Sequence, residues 1–135
     1  HIPVDVIAAD DFSENANTKI VDSNAIEAGW QGLDAGPKTL EQFEKVILAS
    51  KTLLWNGPVG VFEMNAFAGG TKAIGRFVQA ATENGAFSLV GGGDSVAAVK
   101  QFGFSDKVSY VSTGGGAMLE SLEGRTLPGV AAILE

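Results

Sequence analysis

At 135 residues, 45% of them hydrophobic and 19% charged, the chain has the composition of a one-domain globular protein long enough to bury a real core. It has no cysteine and one histidine, His1, which excludes disulfides, thiolate metal sites and catalysis of the Ser-His-Asp or Cys-His kind. A net charge of −7 with nine scattered basic residues argues against a nucleic-acid surface, and no apolar run reaches the roughly 20 residues of a membrane-spanning helix.

In chain order, residues 2–9 read as a strand carried by Val4, Val6 and Ile7, residues 10–23 as a polar loop, and residues 34–37 as a turn. Pro37 suits a first helical turn, and Leu40, Phe43, Val46 and Ile47 then recur at helical spacing to about Ala49. Residues 52–55 form a short β-type run stopped by Asn56-Gly57-Pro58. A long helix is expected over residues 65–84, with Phe67, Ile74, Val78 and Ala81 on one face and Gly85 as its stop. Gly69, Gly70 and Gly75 each cost that helix about 1 kcal/mol relative to alanine, so close helix packing is expected around them. Residues 86–90 then read as a strand, 95–101 as a helix, 108–111 as a strand and 117–122 as a helix.

That alternation of apolar strands with helices is the pattern of a parallel sheet covered on both faces. Three of the strands run into glycine-rich turns: Asn56-Gly57-Pro58-Val59-Gly60, Gly91-Gly92-Gly93-Asp94 and Thr113-Gly114-Gly115-Gly116. In a parallel sheet all three lie at the carboxyl edge, where open α/β proteins bind ligands. Glycines between a strand and a helix let backbone N–H groups approach an oxyanion, and the helix dipole favours its charge. The plainer reading of Gly91-Gly92-Gly93-Asp94 is a tight turn with Asp94 as a helix cap. Two such clusters on one edge favour a phosphate site, and a carboxylate beside bound phosphate then requires a cation, Mg²⁺ being the natural choice. Neither cluster completes a P-loop or a dinucleotide fingerprint. Glu63 could accept both hydroxyls of a ribose or simply be a solvated carboxylate at a helix start. Leu33, Pro58 and Val61 could wall a base or belong to the core, and Trp30 and Trp55 read as packing residues.

Taken together, Gly32-Leu33-Asp34-Ala35-Gly36-Pro37, Trp55-Asn56-Gly57-Pro58-Val59-Gly60-Val61-Phe62-Glu63, Gly91-Gly92-Gly93-Asp94-Ser95 and Ser112-Thr113-Gly114-Gly115-Gly116-Ala117 resemble phosphoglycerate kinases in order and spacing. The resemblance implies an α/β fold: an incomplete, Rossmann-like, three-layer parallel-sheet domain. Residues 1–135 would be the C-terminal part of the nucleotide-binding domain, with 125–135 running back toward an N-terminal domain. It implies phosphoryl transfer between 1,3-bisphosphoglycerate and ADP, giving 3-phosphoglycerate and ATP, in a cytoplasmic, monomeric enzyme. Asp94 would hold the nucleotide's Mg²⁺. Gly92, Gly93 and Ser95 would contact phosphates, and Asn56 would lie near the phosphate chain. Glu63 would bind the ribose, while Leu33, Pro58 and Val61 would line the adenine pocket. Gly92 and Gly93, with Gly115 and Gly116 at a second helix start, would face the transferring phosphoryl group. Family members are about three times as long, with their phosphate-contacting lysines and phosphoglycerate site elsewhere, so this chain is expected to be inactive alone. Two other readings stand beside it, a nucleotide-binding module without chemistry and a nicotinamide-dependent oxidoreductase. The incomplete dinucleotide fingerprint disfavours the latter.

Overall fold

The computed structural model describes residues 1–134, and the expected terminal segment is therefore followed only to Leu134, with Glu135 outside the described residues. The order of elements is β1 (Asp5–Ala9), β2 (Thr18–Asp22), β3 (Gln31–Ala35), α1 (Pro37–Ala49), β4 (Thr52–Asn56), a 3₁₀ turn (Asn65–Phe67), α2 (Gly69–Glu83), β5 (Phe87–Gly91), α3 (Gly93–Gln101), β6 (Tyr110–Ser112), α4 (Gly115–Leu122) and α5 (Pro128–Leu134). Strands β4, β5 and β6 form the expected parallel sheet in that order, with Trp55 opposite Val90 and Val90 opposite Val111.

A second sheet, antiparallel and ordered β2-β1-β3, corrects the reading of residues 10–23 as a loop and of 34–37 as a bare turn. The strand Thr18–Asp22 lies with Ile20 opposite Ile7 and Val21 opposite Val6, and its β-branched Thr18, Ile20 and Val21 suit that pairing although the stretch around them is polar. Within the parallel sheet the core lies on one face. Trp55 and Val90 pack there with Ile74 and Val78 of α2, Val99 of α3 and Phe104, and with Leu40, Phe43 and Ile47 of α1 at the edge. On the other face α4 touches the carboxyl end of β5, where its Met118 lies against Gly91, and Leu54, Phe87 and Tyr110 stay exposed.

The single helix expected over 65–84 is two pieces, because the chain turns at Ala68 before α2 begins. Its glycines do not serve helix-on-helix contact. A Cβ on Gly75 would collide with the Phe104 ring, and one on Gly70 would collide with the Asp34 carboxylate.

Neither α1, α2 nor the 3₁₀ turn is capped by its own first side chain. Each N-terminus instead receives a carboxylate from the antiparallel-sheet region, which satisfies N–H groups that have no partner inside the helix. Asp5 of β1 accepts the N–H groups of Lys38 and Thr39 at 3.0 and 2.7 Å. Asp34 of β3 accepts the N–H of Gly70 at 2.8 Å, and Glu14 those of Asn65 and Ala66 at 3.0 and 3.1 Å. Gly36 and Gly70 lack the Cβ that would block Asp5 and Asp34. These clamps join the antiparallel sheet to the helices that cover the parallel one.

Candidate nucleotide site

The three glycine turns meet at the carboxyl edge of β4, β5 and β6. Gly92 stands at φ 92°, a conformation that glycine alone adopts without strain, and is the residue at which β5 turns into α3. A Cβ there would lie 2.5 Å from Asn56 Oδ1, so the end of β4 is in contact with this turn. A Cβ on Gly115 would run into the backbone nitrogen of Gly92 and lie 2.6 Å from its Cα, so the starts of α3 and α4 touch backbone to backbone. Gly93, Gly114 and Gly116 border open space. Two helix N-termini, with their unpaired N–H groups and positive dipole ends, thus sit side by side at one opening, an arrangement suited to a polyanion.

The turn after β4 is fixed from two sides. Trp55 Nε1 donates to Gly57 O at 2.8 Å, and the Ser95 hydroxyl accepts the Gly57 N–H. Ser95 is fully buried and its hydroxyl is spent on this turn, so the phosphate contact expected of it is not open at the surface, where Gly93 and Asp94 form the exposed start of α3. Trp55, read as a packing residue, therefore has a second role that the breaker Asn56-Gly57-Pro58 could have suggested, since a buried indole N–H needs an acceptor nearby. Asp94 is the second residue of α3 and is exposed. Gly92 occupies the cap position and no side chain caps this helix, so Asp94 is not the helix cap that the plainer reading made it. Among the described residues no group of three or more acidic or histidine side chains could hold a metal by itself. A single open carboxylate beside an anion cradle fits a cation that arrives with phosphate oxygens as its other ligands.

Next to this edge lies a cavity of about 280 Å³ lined by Leu33, Pro58 and Val61, the three expected wall residues, together with Asp34, Phe43 and Val59. Its two sides are tied together by the Val61 N–H, which donates to Leu33 O at 3.0 Å. Leu33 is also part of a small core with Ala9 and Phe67, so it is both wall and core. Asp34, passed over in the sequence, is 3% exposed and holds this corner: Oδ1 accepts the Ala35 N–H and Oδ2 the Gly70 N–H, both at 2.8 Å. Burial pushes its carboxyl above the usual carboxylate range, outweighing the hydrogen bonds from Gly70, Ala35 and Gly69. Burial acts on Asp5 in the same direction, but there the Thr39 hydroxyl and the Thr39 and Lys38 N–H groups prevail and hold it low. Glu63 is exposed in the turn that follows Val61.

A family model described as phosphoglycerate kinase matches residues 1–125. The chain belongs to the phosphoglycerate kinase family. It is 59% identical to the phosphoglycerate kinase of Porphyromonas gingivalis and 58% identical to that of Chloroflexus aurantiacus, in each case over 98% of this chain. The chain spans about a third of the length of these relatives, 32% and 33% respectively. The solved phosphoglycerate kinase of Coxiella burnetii superimposes on 93% of the chain with a TM-score of 0.86 at 45% identity, again over 32% of that structure. That of Pyrococcus horikoshii gives a TM-score of 0.77 at 32% identity over 98% of this chain. The fold of this third of a phosphoglycerate kinase therefore persists across a wide range of sequence. No helix among the described residues is long and apolar enough to cross a membrane.

Proposed function

We propose that this chain forms the nucleotide-binding part of a phosphoglycerate kinase that moves a phosphoryl group between 1,3-bisphosphoglycerate and ADP, producing 3-phosphoglycerate and ATP. One observation carries the reading: Asn56, Gly92 and Gly115 bring three turns into contact beside a cavity walled by Leu33, Pro58 and Val61. An apolar cavity next to paired helix N-termini suits a nucleotide, with its base in the cavity and its phosphates at the N–H groups.

In this reading the N–H groups at Gly93 and Asp94 receive the nucleotide phosphates, Ser95 holds the Gly57 turn beneath them, and Asn56 steadies them from the end of β4. Glu63 accepts the ribose hydroxyls. The start of α4, at Gly115 and Gly116, offers further N–H groups to charge that develops on the phosphoryl group in flight. Asp94 would hold Mg²⁺, which when bound neutralises phosphate charge. No side chain here acts as a nucleophile. The chain's contribution is to hold and orient the donor, since phosphoryl transfer depends on positioning and charge stabilisation.

Calorimetric titration of the chain with ADP in the presence of Mg²⁺ tests the binding half of this reading, and a coupled assay with 1,3-bisphosphoglycerate tests the other. Binding of ADP in preference to NADH is expected, with no turnover by the chain alone, because it spans a third of its relatives. Tighter binding of NADH would overturn the reading in favour of an oxidoreductase. ADP binding by a full-length protein that never turns over would reduce it to a non-catalytic nucleotide module, and a cytoplasmic monomer is the form expected of that protein.

A further inference from the structure

Glu14 lies on the connection between β1 and β2, an exposed loop that the sequence reading left without a role. Its two carboxylate oxygens accept the N–H groups of Asn65 and Ala66, 51 and 52 residues further along the chain. The loop is built to hold it there. Asp10 accepts the Asn17 backbone N–H at 2.9 Å and its side-chain amide at 2.7 Å, closing the loop at its base. Ser13 accepts the N–H of Ala16 on its carbonyl at 3.1 Å and that of Asn15 on its hydroxyl at 3.3 Å. Ala16 then packs on the cluster of Leu33, Val61, Met64 and Phe67.

The clamped residues lie on the same short segment as Val61 and Glu63, with Met64 between Glu63 and Asn65. This segment is otherwise held at its start by the Val61–Leu33 hydrogen bond, within by buried Phe62 and the Met64 N–H donated to Val61 O, and at its end by buried Phe67. Between those points Glu14 supplies the only contact from the β1–β2 loop given by a charged side chain, and it alone engages two successive N–H groups of the segment among the described residues. We propose that Glu14 is a positioning residue for the nucleoside half of the site: by fixing Asn65 and Ala66 it sets where Val61 and Glu63 stand. The proposal rests on the nucleotide reading above. It assigns Glu14 no part in holding phosphate, because the cradle at Gly92 and Gly115 is built from other turns.

The test is Glu14→Gln in the full chain, whose amide keeps one acceptor oxygen and loses the charge. Affinity is measured for Mg²⁺-ADP and, separately, for Mg²⁺-tripolyphosphate, which carries phosphates and no nucleoside. Glu14→Gln is expected to weaken ADP binding roughly three- to tenfold, less than the tenfold or more that loss of a charge-assisted hydrogen bond to the ligand itself would cost because Glu14 acts through the segment, and to leave tripolyphosphate binding unchanged. Amide exchange at Asn65 and Ala66 should quicken in step. Equal ADP affinities for wild type and variant would overturn the proposal alone, and so would equal losses for both ligands, which would mark a merely structural role. Failure of the wild-type chain to bind ADP would overturn the nucleotide reading and this proposal with it.

Discussion

Gly115→Ala tests the contact on which the phosphate cradle depends. A Cβ at this position meets the backbone nitrogen and Cα of Gly92, which cannot rotate aside as a side chain could. Gly92 is itself confined, with its φ of 92° and with Asn56 close on its other side, so the turns at the starts of α3 and α4 must separate. Overpacking of this kind costs about 1–3 kcal/mol. Alanine's better helix propensity returns up to about 1 kcal/mol, and with the full return the net loss is up to about 2 kcal/mol. At this chain length each kcal/mol moves the melting temperature by roughly 3–5 °C, so Gly115→Ala should melt below wild type by up to about 10 °C. The neighbouring substitution Gly116→Ala is the internal control. Its Cβ enters open space, so only the propensity gain remains and its melting temperature should rise by up to about 5 °C. Scanning calorimetry of both variants beside wild type gives the answer. If Gly115→Ala melts at or above wild type, or the two alanines shift alike, the backbone contact between the turns is not tight and the cradle argument fails.

The other expectations concern two carboxylates in opposite environments. Asp94→Asn should change stability by no more than about 0.3–1 kcal/mol, the worth of an exposed charge in a first helical turn, yet abolish the gain in ADP affinity that Mg²⁺ brings; an undiminished Mg²⁺ effect would remove the metal role. Asp34 has its folded-state pKa raised by burial, so its stabilising contribution is full below its unfolded value of about 3.9 and is lost as pH rises through the folded value. The melting temperature of Asp34→Asn, measured relative to wild type at each pH, should therefore improve between acid and neutral pH, and a difference that is flat or falls would contradict the direction of the shift.

The parallel half of the fold was legible because its signals are local. Short apolar runs at β4 and β5 stop at glycine turns, and α1 announces itself through Pro37 and the spacing of Leu40, Phe43 and Ile47. The antiparallel sheet was not legible, because the short β-branched run Thr18, Ile20 and Val21 of β2 is embedded in the polar stretch 10–23 and its pairing with β1 is not a local signal. The same division runs through the site. Glycine turns on one sheet edge could be seen to converge from strand order alone, and the Trp55 bond to Gly57 lies within two residues, whereas the hold of Ser95 on Gly57 depends on a contact 38 residues apart.

Asp34 shows what a closer reading could have used. It stands between Leu33 and Ala35, and all three are buried. An acid embedded in an apolar strand is costly unless donors meet it, so its position is itself a sign that a helix start lies nearby. Asp5 sits in the same way at the head of β1 and finds α1. Asp5 and Asp34 stand opposite glycines, Gly36 for the first and Gly60 and Gly70 for the second, and those glycines had no explanation within their own elements. Buried acid and unexplained glycine are two halves of one contact, separated in sequence because the contact joins different layers. That is why a chain with 16 acidic and nine basic residues does not need the bases to satisfy its buried carboxylates. Backbone N–H groups do so, and in doing so they fix Leu33 and Val61, and through Glu14 the segment bearing Glu63, against the turns that hold Gly92 and Gly115.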